Sequence, residues 1–158
     1  DNRLNMIHEG THGIQGLDLL GRKVVANGGA GLAALVGAVG KTVAKASARD
    51  GELADMAAQL DSAWHRLAGV TASMFASGDI DAALANSAVY LEAFGHSVIA
   101  WMWLEQLLTA DGHDGDFYDG KRQAGRYFFR YELPRTGPQL DLLESLDRTT
   151  LEMRADWF

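Results

Sequence analysis

The sequence predicts an all-α protein, an up-and-down helical bundle of about five or six helices. Only two prolines occur in the 158 residues, Pro134 and Pro138, and both fall late in the chain. Apolar residues make up 47% of the chain and recur three and four positions apart, as one face of a helix requires. The strict alternation typical of half-buried strands is nowhere sustained.

The first three helices are predicted from this spacing. Ile14, Leu17, Leu20, Val24 and Val25 indicate a first helix, which Asn27-Gly28-Gly29 ends. A second stripe runs from Leu32 to Ala46, and Asp50 is expected to cap the helix that follows. The third helix has the most regular spacing and is expected to bury one seam against its neighbours. The seam consists of Leu53, Met56, Leu60, Trp64, Leu67, Thr71 and Met74.

The later helices follow from breaks and caps. Ser77-Gly78-Asp79 ends the third helix and caps a fourth, predicted as one helix from Ile80 to Leu108. Because the second half of that helix is apolar on almost every side, we expect it at the centre of the bundle. A fifth helix is predicted over 117–133, closed by Pro134 and Pro138, and an amphipathic segment leads to Trp157-Phe158.

Composition excludes several classes of function. The chain has 14 Lys and Arg against 21 Asp and Glu, a formal charge of −7, which disfavours a nucleic-acid partner. The lack of cysteine excludes thiol catalysis, cysteine-based zinc sites and iron–sulfur clusters. The longest uninterrupted apolar run, Val98 to Leu104, is far shorter than the roughly 20 residues of a membrane span. We therefore expect a cytoplasmic protein without a membrane span.

Two catalytic signatures share Glu9. The first is His8-Glu9-x-x-His12, the pattern in which two imidazoles one helical turn apart bind zinc and the glutamate acts as base. That geometry needs a continuous helix through both histidines, and Gly10, Thr11 and Gly13 are poor helix formers. The extended zinc motif would also place Gly and His where Gln15 and Asp18 stand. A zinc metalloprotease remains an alternative on this pattern.

The second signature is the run Ile7-His8-Glu9-Gly10-Thr11-His12-Gly13-Ile14-Gln15, which resembles the acyl-CoA dehydrogenase family. That family typically reads Ile-Tyr-Glu-Gly-Thr-x-x-Ile-Gln, and six of its seven specified residues stand here, His8 replacing the tyrosine. The continuation through Lys23 resembles the longer members of the family, which carry an additional C-terminal helical domain. The resemblance thus implies the end of the catalytic helical domain in residues 1–23 and the extra domain in 24–158.

The resemblance implies α,β-dehydrogenation of an acyl-CoA thioester with FAD as cofactor. Glu9 would be the catalytic base that removes the α-proton, and Gly10 would lie against the substrate. Thr11, His12 and Gly13 would contact FAD. The family further implies a homo-oligomer, contact with the rest of the dehydrogenase chain and an electron-transferring flavoprotein as acceptor. Since the family's flavin site is built largely from other segments, we expect this chain alone to bind flavin weakly and to be inactive.

Other features favour structural roles. A non-catalytic helical interaction or oligomerisation module is the third alternative. Gly40-Lys41-Thr42 resembles the end of a phosphate-binding loop, but the helical spacing continues through it. The arginines at 122, 126 and 130 repeat every four residues, which is typical of a solvated helix face.

Overall fold

The computed structural model describes residues 11–158, and within that range every regular element is helical, which confirms the predicted fold class. The α-helices are α1 His12–Asp18, α2 Ala26–Ser47, α3 Glu52–Ala76, α4 Ile80–Ala85, α5 Ser87–Ala110, α6 Asp116–Tyr127 and α7 Thr136–Glu144. A π-helical segment, Leu19–Lys23, extends α1. A second one, Phe128–Glu132, and the 3-10 turn Leu133–Arg135 connect α6 to α7. A 3-10 turn, Ala155–Trp157, lies near the C-terminus.

The chain turns sharply between α1 and the regular part of α2. Asn27, Gly28 and Gly29 have φ angles of 51°, 66° and 83°, in the left-handed region that glycine and asparagine adopt most readily. The helical stretches His12–Lys23 and Ala26–Ser47 consequently meet at 100°. The predicted break at these three residues is therefore confirmed.

The seam predicted for α3 forms the core. Leu60, Trp64 and Leu67 are buried, and the Trp64 indole N–H donates to the carbonyl of Ser97 on α5 at 3.2 Å. Helix α5 packs against α1, α2, α3, α6 and α7, so its predicted central position is confirmed. Its all-round apolar surface is explained by these neighbours.

The segment predicted as one fourth helix is two helices. Asn86, with φ −109° and ψ 32°, separates α4 from α5, and its side-chain amide donates to the carbonyl of Asp147 at 2.8 Å. This distant hydrogen bond stabilises a break that apolar spacing does not reveal. The predicted cap is present, because the Asp79 carboxylate accepts from the Ala82 N–H at 3.0 Å.

Two predicted helix ends are wrong. The residue that caps α3 is Gly51 rather than Asp50, since the chain enters the helix with φ 70° and ψ −137°, a conformation suited to glycine. The fifth helix does not end cleanly at the prolines. Pro134 lies in the 3-10 turn, and Pro138 lies in the first turn of α7, where a missing N–H costs no hydrogen bond.

The stripe predicted for the first helix is only partly buried. Leu20 and Val24 join the core, whereas Ile14 is 69% exposed and Leu17 is 48% exposed. Apolar spacing correctly indicated a helix, but the face that carries these two residues is not covered by residues 11–158.

None of the helices described is by itself long and apolar enough to cross a membrane. The bent pair formed by His12–Lys23 and Ala26–Ser47 meets that requirement only when both are taken together, by length and composition.

Candidate cofactor site at the start of α1

The predicted site residues lie on both sides of the point at which the described part of the chain begins, residue 11. Glu9 and Gly10, the predicted base and substrate contact, lie outside the described residues. Thr11 is half-buried and stands at the N-cap position of α1. His12 and Gly13 are exposed in the first turn of the helix. The structure thus brings the three predicted FAD-contacting residues together at one accessible helix end.

This helix end offers hydrogen-bond donors to an incoming ligand. The Thr11 carbonyl accepts from the Gln15 N–H at 2.9 Å, whereas the Thr11 hydroxyl makes no capping bond to α1. The first N–H groups of a helix have no partner within the helix. A Cβ added to Gly13 would meet nothing within 4 Å, so the space beside it is open. A hydroxyl, amides and an imidazole form a donor set that fits the diphosphate or ribose of FAD.

Helix α1 is fixed to the bundle through a glycine. A Cβ at Gly16 would lie 2.5 Å from the carbonyl oxygen of Ser87, at the start of α5. Five residues further along the chain, a Cβ at Gly21 would lie 3.3 Å from the Leu84 side chain on α4. The close approach at Gly16 positions the predicted site against the α4–α5 junction. Gly16 is not among the predicted site residues, and its only signal in the sequence is that of a lone glycine within a helical pattern.

The charged residues at the end of α1 and in the π-helical segment that follows it form ion pairs with each other. The Asp18 carboxylate pairs with Arg22 and with Lys23, the latter at 3.3 Å. Partial desolvation acts to raise the pKa of Asp18, but hydrogen bonds from Lys23 and Arg22 outweigh it and hold the pKa below its ordinary value. Asp18 is therefore ionised and paired at neutral pH, and it lies one helical turn after Ile14, on the same side of α1.

Comparison with known proteins identifies the family. Residues 35–154, which run from within α2 past the end of α7, match the family described as "Acetyl-CoA dehydrogenase C-terminal like". The chain belongs to this family. The resemblance to acyl-CoA dehydrogenases that the first residues indicated is thereby confirmed. Helix α1 and the Glu9 segment precede the matched range.

Similarity to a curated protein supports the same family assignment. The chain is 27% identical, over 169 aligned positions, to the "Broad-specificity linear acyl-CoA dehydrogenase FadE5" of Mycobacterium tuberculosis. The alignment covers 97% of this chain and 28% of that relative. The chain thus spans little more than a quarter of the length of the relative that it matches.

The zinc alternative gains no support from the described residues. His12 is the first residue of α1, whereas His8 and Glu9, the other two residues of the zinc motif, lie outside the described residues. Within residues 11–158, no group of three or more His, Asp or Glu side chains is arranged to hold a metal ion.

The resemblance to a phosphate-binding loop is explained by packing. Gly40, Lys41 and Thr42 lie within α2, and Thr42 is buried. The Trp101 indole N–H donates to the Thr42 hydroxyl at 2.7 Å, and that hydroxyl in turn donates to Glu105. Thr42 thus joins α2 to α5.

Two of the three arginines of the stripe, Arg122 and Arg126, lie on α6 and bind other parts of the protein, while Arg130 lies in the π-helical segment that follows. Arg122 donates to the carbonyls of Ala110 and His113, both at 3.0 Å, and so ties α6 to the preceding turn. Arg126 pairs with Glu52 on α3 at 2.7 Å. Arg126 and Arg130 are exposed, as expected of a solvated helix face, whereas Arg122 is half-buried.

Proposed function

We propose that this chain supplies the catalytic base and the C-terminal helical domain of an FAD-dependent acyl-CoA dehydrogenase. In this proposal Glu9 removes the α-proton of an acyl-CoA thioester. The observation that carries the proposal is the family match over 35–154, preceded in the same chain by the Ile7–Gln15 motif with its glutamate. The curated relative, by its printed name a linear acyl-CoA dehydrogenase, supports the same activity.

The chemistry explains why a glutamate stands at position 9. A proton on carbon is a weak acid, so the base must be desolvated until its pKa approaches that of the carbon from which it takes the proton. FAD, when bound, supplies the acceptor for the hydride that leaves the β-carbon. Gly10, which has no Cβ, allows the thioester to approach the backbone next to the base.

The start of α1 supports the cofactor part of the proposal. Thr11, His12 and Gly13 lie together at the N-terminal end of α1, and we propose that they contact the diphosphate or ribose of FAD. Gly16 holds this end firmly against Ser87, so the donors have a fixed position relative to the bundle. Pre-positioned donors bind a ligand without a further ordering cost.

The complete enzyme needs more than this domain. Because the alignment covers 28% of the curated relative, we propose that the flavin and the acyl chain are held mainly by other parts of the dehydrogenase. The isolated 158-residue chain is then expected to bind FAD weakly and to show no turnover. By family resemblance, the enzyme is a homo-oligomer that passes its electrons to an electron-transferring flavoprotein.

Flavin reduction by substrate in the assembled dehydrogenase tests the role of Glu9. An acyl-CoA is mixed anaerobically with the wild type, with Glu9→Gln and with Glu144→Gln, and bleaching of the oxidised flavin is followed. We expect Glu9→Gln to reduce its flavin about 10²–10⁴-fold more slowly, because a general base contributes a factor of that order. Glu144 is exposed at the end of α7 and makes the same change of charge, so it serves as the matched control.

The flavin content and oxidised spectrum separate a lost base from a lost cofactor. Both are expected to be unchanged in Glu9→Gln, since the substitution keeps the size of the side chain. Flavin reduction at the wild-type rate in Glu9→Gln would assign the base to another residue. About one zinc ion per chain in the purified wild type, lost on His8→Ala, would instead favour the metalloprotease alternative.

A further inference from the structure

An open cavity, here called the α5–α6 cavity, lies where the end of α5 meets the start of α6. Its volume is about 390 Å³, which falls within the range of small-molecule sites in proteins. Phe117, Tyr118 and Lys121 of α6 form one wall, and side chains from the last two turns of α5, between residues 105 and 110, form the other. Two aromatic rings and a lysine therefore border the same space.

The aromatic side chains at this cavity form a connected cluster. The rings of Phe117 and Tyr118 meet edge to face with their centroids 5.4 Å apart, and the His113 ring packs on Tyr118 at 4.9 Å. Phe117 is nevertheless 70% exposed, so most of its ring is uncovered. Aromatic rings attract each other in offset or edge-to-face arrangements. The cavity thus offers a flat apolar ligand a ring against which it can pack.

Lys121 brings a positive charge to the same cavity. Its ammonium lies 5.5 Å from the centre of the Trp103 ring and 5.7 Å from that of Phe117, so two cation–π contacts hold it in place. It donates one hydrogen bond, to Oε1 of Gln106 at 3.0 Å. Within residues 11–158 no ion pair includes Lys121. Because an ammonium has three N–H donors, donors remain for an anion.

Glu105 is the acidic residue that lines the cavity. Its carboxylate accepts a hydrogen bond from the Thr42 hydroxyl and is thereby engaged with α2. It forms no ion pair with Lys121 in the described part of the chain. The acid of the cavity therefore does not neutralise the lysine, and the ammonium stays open to a negative group from outside.

We propose that the α5–α6 cavity binds a small aromatic carboxylate. The ring of the ligand packs against Phe117 and Tyr118, and its carboxylate accepts a hydrogen bond from the Lys121 ammonium. An aliphatic anion would leave the ring of Phe117 without a stacking partner, and a neutral aromatic molecule would leave the ammonium without a counter-charge. None of these residues is among the predicted contacts of FAD or substrate, so the inference does not depend on the proposed function.

Titration with naphthoate, followed by NMR, tests the site. The chain has four tryptophans, so a nitrogen–proton correlation spectrum contains four indole signals, and Trp103→Phe and Trp157→Phe assign two of them. The 158-residue chain is used, because its core is formed by its own helices. We expect the Trp103 signal to move until it saturates, with a dissociation constant on the order of 0.1–1 mM for a ligand of this size. The signal of Trp157, which is 65% exposed, should stay in place.

A Trp103 signal that does not move at saturating naphthoate would refute the proposed site. Equal movement of the Trp157 signal would also count against it, since the ligand would then adsorb to exposed aromatic side chains in general.

Two further ligands separate the roles of charge and ring. Naphthalenemethanol keeps the rings without the charge, and we expect it to bind at least about tenfold more weakly, because hydrogen bonds with an ionised partner are the stronger ones. Octanoate keeps the carboxylate without a ring and should bind about three- to tenfold more weakly, the factor that aromatic packing contributes. Equal affinity for the alcohol would contradict the role of Lys121. Binding of octanoate as tight as that of naphthoate would contradict the aromatic preference.

Substitutions in the cavity complete the test. Lys121→Gln should weaken naphthoate binding at least about tenfold, whereas Lys121→Arg, which keeps a cation, should retain most of the affinity. Lys41→Gln makes the same change of charge at an exposed position of α2 and is the matched control. Phe117→Ala should weaken binding about three- to tenfold, and Phe158→Ala, at a position that is 96% exposed, should leave it unchanged.

Unchanged binding by Lys121→Gln would overturn the proposal, and so would an equal loss in Lys41→Gln. Far-UV circular dichroism checks that each variant keeps the helix content of the wild type. Should a variant lose helix content, the comparison of the three ligands in the wild type decides the outcome.

Discussion

Tyr90 shows how a single buried group links stability to pH. Its side chain is fully buried on α5, and its hydroxyl forms a 2.9 Å hydrogen bond with the Thr71 hydroxyl on α3. Burial raises the pKa of Tyr90 from 10.0 to about 12, although the hydrogen bond with Thr71 acts in the opposite direction. The folded protein therefore keeps this proton over a pH range in which the unfolded chain releases it.

The free energy of unfolding is accordingly expected to fall between about pH 10 and pH 12. The contribution of Tyr90 is complete below the unfolded pKa of about 10 and is lost as the pH rises through the folded value, by about 3 kcal/mol in all. In Tyr90→Phe this part of the pH dependence should be absent. Urea unfolding at a series of pH values measures the free energy of unfolding of the wild type and of Tyr90→Phe. Identical slopes above pH 10 would show that Tyr90 does not retain its proton in the folded state.

At the scale of elements, spacing predicted the helices better than it predicted their ends. The regular seam of α3 gave both its existence and its buried face, because almost every apolar residue of that stripe is covered by another helix of this chain. The stripe of α1 predicted the helix but not the exposure of Ile14 and Leu17. Apolar spacing shows which residues share a face, and it carries no information about what covers that face.

Helix breaks that depend on contacts with distant residues could not be predicted from the sequence. The separation of α4 from α5 at Asn86 is stabilised by a hydrogen bond to Asp147, 61 residues away along the chain. The cap of α4 by Asp79 was predictable, because a capping side chain binds an N–H only three residues ahead. Local hydrogen bonds can be inferred from sequence, whereas those that depend on tertiary packing cannot.

The contact between α1 and α5 leads to a prediction about two glycines. Gly16→Ala is expected to destabilise the protein by about 1–3 kcal/mol, because its Cβ would overlap the backbone of Ser87. Gly37→Ala, in the exposed middle of α2 with open space around its Cβ, should stabilise it by up to about 1 kcal/mol. Urea unfolding of each variant and of the wild type measures the two changes in the free energy of unfolding. An unchanged midpoint for Gly16→Ala would mean that α1 is not closely packed on the α4–α5 junction.

At the scale of the whole molecule, the fold class and the family predicted from the sequence are confirmed, while the predicted site stays a prediction. The family could be inferred because its motif is continuous in the chain, from Ile7 to Gln15. The structure describes Thr11, His12 and Gly13 at the start of α1, and the roles of these three residues stay predictions, as do those of Glu9 and Gly10. In the proposed function, the groups that would desolvate the base belong to other parts of the enzyme, and the sequence of one domain carries no information about them.

Exchange of the α-hydrogens of a bound thioester tests the central claim most directly. An acyl-CoA that lacks β-hydrogens cannot be dehydrogenated, but a base in the assembled enzyme can still remove its α-protons. In deuterated buffer, mass spectrometry is expected to show deuterium entering the α-carbon with the wild type and with Glu144→Gln. With Glu9→Gln the exchange should be about 10²–10⁴-fold slower. Exchange at the wild-type rate in Glu9→Gln would contradict the assignment of Glu9 as the base.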